Sequence, residues 1–505
     1  MTREAPRDNV FSALDALLLL LILNFTLQPL TEPDFGWHLR TGLDLLRQGW
    51  ILPALDPYSH TMPDWAWVEH AWLTDLIIGA SYSWFGPLGV ILFFAAVTAG
   101  AWLVASFSAR CNRTYCFLAC ALSLWVALPF LGARTQMVTL LGLAALLVML
   151  ERNTKEQSRV FWLIPPLFLL WANLHGGFTA GLFLLGLVAA SFAMVKAVVV
   201  RVPALAARLD EAIPSWPAIW RLIVAAGIAS LVTLVNPYGW RLYGEIIDSL
   251  SNRFMLESLQ EWQPLSLNSL AGRSYAIYLA GLGLAMVVWY RRIEPVRWVL
   301  WSVFLILSLR HMRNIPFFLL VTLPLCAELL ARGLGHVTSC LRLDAAHARR
   351  WLLAGTLSGG LFLVWLGPDH LQRVVQSGLQ PAEYFKGTAY PIEAVQWVQS
   401  HRELVGTRLY NDYTYGGFLL WWLPEEKIFI DGRMPAWRSG SRRIFQDYVA
   451  LSLTDPPNLS ILSAYSVDWA IVKKQSLLDE ALARETAWQR EYEDGKVSIY
   501  VKQSE

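Results

Sequence analysis

Charge is scarce in this sequence. Only 16% of its 505 residues are Asp, Glu, Lys or Arg, and 41 basic against 39 acidic side chains leave a net charge of +2. No basic tract or interleaved basic and aromatic stripe stands out, which excludes a nucleic-acid partner. Cysteine is scarcer still. The five present (Cys111, Cys116, Cys120, Cys326, Cys340) include no metal-type CxxC pair and none in the C-terminal polar region, so there is no disulfide framework to read. The sequence also lacks HExxH, internal repeats and low-complexity tracts.

What it has is apolar length. A hydrophobic fraction of 55% and a mean hydropathy of +0.40 place it among polytopic α-helical membrane proteins. Runs able to span recur at roughly 11–30, 87–108, 114–131, 136–150, 160–174, 178–199, 219–236, 274–290, 297–309, 315–331 and 351–367, about eleven helices when a span needs ~20 residues. The run from Val10 to Leu30 follows Arg3 and Arg7 and has no small-residue cleavage site, so it reads as a retained first helix. An odd number of spans puts the termini on opposite sides. The expected organisation is a transmembrane domain over 1–367 and a small α/β domain over 368–505.

Charge position gives the orientation. Arg3 and Arg7; Arg110 and Arg113; Arg152, Lys155 and Arg159; Lys196, Arg201, Arg208 and Arg221; Arg291, Arg292 and Arg297; and Arg332, Arg342, Arg349 and Arg350 crowd one set of loops. The other set holds fewer: Arg40, Arg47, Arg134, Arg241, Arg253, Arg273, Arg310 and Arg313. The positive-inside rule makes the first set cytoplasmic. The N-terminus is then inside, and the loop over 31–75 and the C-terminal domain are extracytoplasmic.

With that sorting, the unusual polar motifs fall outside: TEPDFGWHL and WVEHAWL in the first loop, ARTQ at 133–136, NLHGGF at 173–178, NPYGWRLY at 236–243, EWQP at 261–264 and LRHMRN at 309–314. Such groups are costly at membrane depth unless they face a wet cavity, which predicts one outward-facing chamber. Within the first loop, Thr41–Gly49 reads as a short helix closed by Gly49, and Trp72–Phe85 as an interfacial helix before Gly86-Pro87. Most of the loop's tryptophans read as anchors at headgroup level. In the C-terminal region helices are expected at 391–400, 416–423, 441–452 and 476–485, and strands at 407–411, 427–431, 468–473 and 497–502. This alternation implies a partly parallel sheet, with YNDYTYGG and IDGRMPAW in the loops where such sheets face ligands.

Glu32 and Asp34 follow the first helix closely, where a partly desolvated carboxylate can act as a general base or help hold a divalent cation; a solvated acidic turn is the alternative. His38 lies four residues after Asp34, His70 follows Glu69, and His175 and His311 come from later outer turns. Arg134, Arg241, Arg310 and Arg313 sit next to helix ends, where guanidinium groups bind phosphate oxygens; snorkelling suits Arg241 better.

A first helix, a long outer loop opening with an acidic motif and carrying juxtamembrane helices, many spans and a soluble outer domain together resemble the GT-C superfamily of membrane glycosyltransferases, which use polyprenyl-phosphate-linked sugars. PDFGWHLRTG, DPYSHT, WVEHAWL, NLHGGF, NPYG, RHMRNIPFF and YGGFLLWWLPEEKIFIDGR are also similar to a widespread bacterial family of polytopic proteins to which no activity attaches. The GT-C resemblance implies that Glu32 and Asp34 match the acidic position that acts as base or metal ligand. Many metal-dependent members carry further acidic residues in the second outer loop; PFLGARTQ has none, which favours base-assisted inverting transfer over a metal-dependent mechanism. The expectation is therefore a glycosyltransferase on the outer face of the bacterial cytoplasmic membrane. It would move a sugar from a polyprenyl-phosphate donor to a lipid, glycan or protein acceptor. Asp34 and Glu32 would be catalytic, and Arg134, Arg310, Arg313, His311, His38, Glu69, His70 and His175 would bind substrate and phosphate. A non-enzymatic lipid or polysaccharide exporter and an envelope assembly protein are the alternatives.

Overall fold

The computed structural model describes residues 12–152, 159–201, 213–341, 347, 350, 353–355, 357–359 and 369–503. Most of the run expected at 351–367, together with Arg3, Arg7, Lys155, Arg208, Arg342 and Arg349, lies outside the described residues. Two compact units emerge, one formed by Met1–Gln28, Leu92–Gly239 and Glu257–Leu371 and the other by Pro29–Ile91, Trp240–Leu256 and Gln372–Glu505.

The first unit is helical. Its opening helix, Ala13–Thr26, starts with a capping box: the Ser12 side chain accepts from the Asp15 amide, and the Ser12 amide donates to the Asp15 carboxylate at 2.9 Å. Among the described residues, five helices are long and apolar enough to cross a membrane: Trp72–Ser106, Arg113–Phe130, Phe178–Arg201, Leu270–Val288 and Met312–Cys340. The runs at 136–150 and 297–309 form helices of 17 and 16 residues. Helix Ile315–Cys340 is buried without interruption from Phe318 to Leu329 and packs against Arg113–Ala127 and Pro295–Arg310. Trp171 is wholly buried because Gly142 and Gly181 leave room for its ring; a Cβ on either would come within 2.6 Å of it.

This unit also contains a knot of charge. Glu328, mid-helix and 6% exposed, accepts from the Arg110 amide at 2.9 Å and pairs with Arg297 at 3.0 Å and Arg332 at 3.6 Å. Arg110 reaches on to Glu151 and Glu294 at 2.6 Å each.

The second unit joins the first polar loop to the C-terminal segment. Its leading helix is Phe35–Arg47, beginning earlier than the expected Thr41. The helix starting at Trp72 breaks at Gly86, whose φ of 61° and ψ of −158° belong to a region open to glycine, and Pro87 starts the next stretch. The sheet has order β1-β2-β4-β3, with β1 Leu409–Asn411 parallel to β2 Trp469–Lys473, and β4 Val497–Lys502 antiparallel to both β2 and β3 Trp488–Glu493. β3 was not expected, because WQREYE is mostly polar and half-exposed.

Segment 427–431 does not join the sheet. Its hydrogen bonds go elsewhere: the Ile428 amide donates to Tyr58 O, His60 donates back to Ile428 O, and the Thr61 hydroxyl donates to Phe429 O. The Asn411 side chain accepts from the Phe429 amide and donates to Ile430 O. With its backbone satisfied by the first loop, the segment needs no strand partner.

Glycines set how closely these elements approach. A Cβ on Gly36 would fall 1.8 Å from Gly417 O, one on Gly417 2.1 Å from Pro33 O, and one on Gly42 1.9 Å from Asp75 O. Helix Phe35–Arg47 therefore lies backbone to backbone against helix Gly416–Trp422 on one side and the Asp75–Gly79 turn of the next helix on the other.

Candidate functional site

Asp34 stands at the start of helix Phe35–Arg47, with its carboxylate making no capping bond to that helix. Gly432, from the IDGRMPAW segment, faces it so closely that a Cβ there would sit 1.8 Å from Asp34 Oδ1. The peptide at Gly432 thus limits where the Asp34 side chain can lie.

One turn along the helix, His38 is 4% exposed and its Nδ1 lies 2.6 Å from Asp75 Oδ1. Burial, reinforced by the positive charge of Arg433, holds the imidazole pKa well below its ordinary value. The ring is therefore neutral near pH 7, with one nitrogen a donor and the other an acceptor, and its Nδ1 shares a hydrogen bond with Asp75. Trp37 stacks on the His38 ring at 3.5 Å, and the His70 ring is 6.3 Å away. Glu69 is 2% exposed and accepts from the Ala71 amide at 3.0 Å. Burial, with Asp75 adding repulsion, raises the Glu69 carboxyl well above the usual range. Among the described residues Asp75 Oδ2 is buried without a hydrogen-bond partner.

His38, Glu69 and Asp75 bring ligand-capable atoms within 4.8 Å of one another. Two buried carboxylates and an imidazole, one carboxylate oxygen orphaned, fit the needs of a divalent cation. No acidic residue of the second loop is required for this set.

Beside this cluster Arg433 is fixed from all sides. Its Nη1 is 2.7 Å from Asp56 and its Nε 2.8 Å from Asp431, while its side chain is 4% exposed. The rings of Trp67, Tyr58 and Trp437 lie 4.9, 5.2 and 5.3 Å from the guanidinium carbon. The two carboxylates push its pKa up, keeping it charged; among the described residues Nη2 is buried without a hydrogen-bond partner, over the aromatic faces. Asp56 also accepts from the Tyr58 and Ser59 amides. This clasp ties the first loop to the Asp431–Arg433 turn, and so holds Gly432 against Asp34.

Glu32, Asp34, His38, Glu69 and His70 thus lie in the second unit. The other expected residues belong to the first. His175 Nδ1 accepts from the Gly177 amide at 3.0 Å and lies 2.7 Å from the Thr139 hydroxyl. His311 Nδ1 lies 2.5 Å from Trp262 O, and Arg313 pairs with Glu261 at 2.9 Å while covering the Trp262 ring at 4.3 Å. Gln136 donates to Arg313 O at 3.2 Å, which joins the turn carrying half-buried Arg134 to the one carrying exposed Arg310. Sequence reasoning gave no role to Asp56, Asp75, Arg433 or Glu245. The motifs DPYSHT and IDGRMPAW were the available signal for two of them. Glu245, on helix Arg241–Ser251, has its carboxyl raised to about 7 by burial and by Asp248.

No protein-family model and no curated protein sequence matches the chain. Solved structures do. An oligosaccharyltransferase from Archaeoglobus fulgidus, tethered to an acceptor peptide, aligns with a TM-score of 0.53 at 11% identity over 91% of this chain and 68% of its own. The same organism's AglB, in complex with an inhibitory peptide and a dolichol-phosphate, gives 0.53 at 12% identity over 91% and 69%. ArnT from Cupriavidus metallidurans, bound to undecaprenyl phosphate, gives 0.52 at 14% identity over 96% and 97%. The chain has the fold of these GT-C glycosyltransferases, as the resemblance implied.

Proposed function

We propose that this protein is a membrane glycosyltransferase that takes a sugar from a polyprenyl-phosphate-linked donor, with Asp34 as the general base. The observation that carries the reading is the placement of Asp34: a carboxylate without a capping duty, confined by Gly432 and adjacent to a buried cluster of shifted acid and imidazole groups, in a chain with the GT-C fold. In the reaction the acceptor hydroxyl gives its proton to Asp34 as its oxygen bonds to the anomeric carbon. The bond from that carbon to the phosphate oxygen breaks, its electrons leave with the lipid phosphate, and the anomeric centre inverts.

Glu32 assists from the same turn. Neutral His38, together with His70, orients the acceptor, and Glu69 shapes the acid cluster. Arg134, Arg310, Arg313 and His311 are assigned to the phosphate, whose charge they complement; His175 supports its turn. A divalent cation held by His38, Glu69 and Asp75 would supply positive charge for phosphate oxygens. The distribution of basic loops supports a bacterial cytoplasmic-membrane location with the N-terminus inside and the loop over 31–75 and the C-terminal domain outside.

The test is Asp34→Asn in proteoliposomes supplied with polyprenyl-phosphate sugars. Transfer should fall by about 10²–10⁴-fold, the usual contribution of a positioned base, with the melting temperature unchanged. Full activity in that variant would remove Asp34 from the mechanism.

A further inference from the structure

The second unit contains a cleft of about 260 Å³ between the 248–254 segment and the 435–446 segment. We propose that it is a subsite for a sugar unit bearing an anionic group, part of the acceptor; this rests on the transferase reading. Three features of the lining select that class.

First, Phe254 and Phe445 meet edge to face at 5.9 Å, and Trp437, 5% exposed, is stacked on Trp65 at 5.3 Å. These packed rings give the cleft a fixed apolar wall, against whose edge the CH groups of a pyranose ring can rest. Second, Arg438 and Arg443 supply two cations against the single carboxylate of Asp248. The Arg443 head is anchored by donation from Nη1 to Gly440 O and Arg442 O at 2.9 Å each. Arg438 and Asp248 stand 4.0 Å apart with side chains 62% and 58% exposed. An exposed pair of this kind is weak, so it opens readily: the guanidinium to the ligand's anion, the carboxylate to its hydroxyls. Third, Ser251, Asn252 and Gln446 on the lining offer the mixed donors and acceptors that hydroxyls need.

Location supports an acceptor role. Trp437 is also a wall of the cage around Arg433, and Gly432, five residues before it, limits Asp34. The cleft and the proposed base thus share one short segment of chain.

The full-length protein in nanodiscs is titrated with methyl β-glucuronide, glucose 6-phosphate, methyl β-glucoside and inorganic phosphate. The two anionic sugars should bind, and the neutral glucoside about tenfold more weakly, the loss expected on removing a charge-assisted contact. Arg438→Gln, at a largely exposed position where folding is not at stake, should weaken anionic-sugar binding by about the same factor, and Arg443→Gln likewise. Absent binding, or binding unchanged in both variants, overturns the proposal. So does phosphate binding as tightly as glucose 6-phosphate, which would make the cleft a bare anion site. Asp34→Asn should bind the sugars as the parent protein does. Binding without transfer therefore leaves the subsite standing and removes the transferase reading, while transfer without binding does the reverse.

Discussion

In the first unit, Glu328 is surrounded by a backbone amide and two guanidinium groups, and the acids and bases of its network alternate: Arg110, Arg297 and Arg332 against Glu151, Glu294 and Glu328. In the second unit, Arg433 is likewise matched by Asp56 and Asp431, but beside it Glu69 and Asp75 lie buried with only the imidazoles of His70 and His38 for company and, among the described residues, one oxygen without a hydrogen-bond partner. Buried charge that is fully matched serves architecture. Buried charge left short of partners costs stability and persists where chemistry uses it.

Removing matched charge sharpens this contrast most. Arg433→Leu leaves two buried carboxylates facing each other and should cost about 3–5 kcal/mol, read as loss of the folded form in thermal unfolding. A melting temperature close to the parent's would show that the clasp is dispensable. Glu328→Gln keeps an acceptor for the Arg110 amide but removes the charge facing Arg297 and Arg332. It should cost about 1–3 kcal/mol without altering sugar transfer, and a transfer defect with unchanged stability would erase the distinction drawn between the two knots.

Glu245 gives the smallest effect and the most specific one. Its folded-state pKa, about 7, is above the usual carboxylate value, so the folded form binds the extra proton. Its ionisation therefore weakens folding as pH rises from about 4.5 through 7. Glu245→Gln should raise the melting temperature more at pH 8 than at pH 5; an equal gain at both would mean that burial does not shift this group.

Much of the helical framework was legible because apolar run length and proline or glycine stops are local signals, as at Gly86-Pro87. The sheet was less so. Segment 427–431 has the composition of a strand yet spends its hydrogen bonds on the loop at 58–61, and only the folded chain brings those together. The same holds for the cluster. Asp34, His38, Glu69 and His70 stand in one loop and could be named from it, but the partner of His38 lies 37 residues on and the clasp on Asp56 comes from residue 433. No spacing rule reaches that far.

The glycines at 36, 417 and 432 carry a consequence for adaptability. Side chains that meet can adjust by changing rotamer; main chain against main chain cannot. The position of Asp34 is thus defined by atoms that the sequence omits, and tuning this site by substitution must proceed from its rim, because its seat has no side chains to vary.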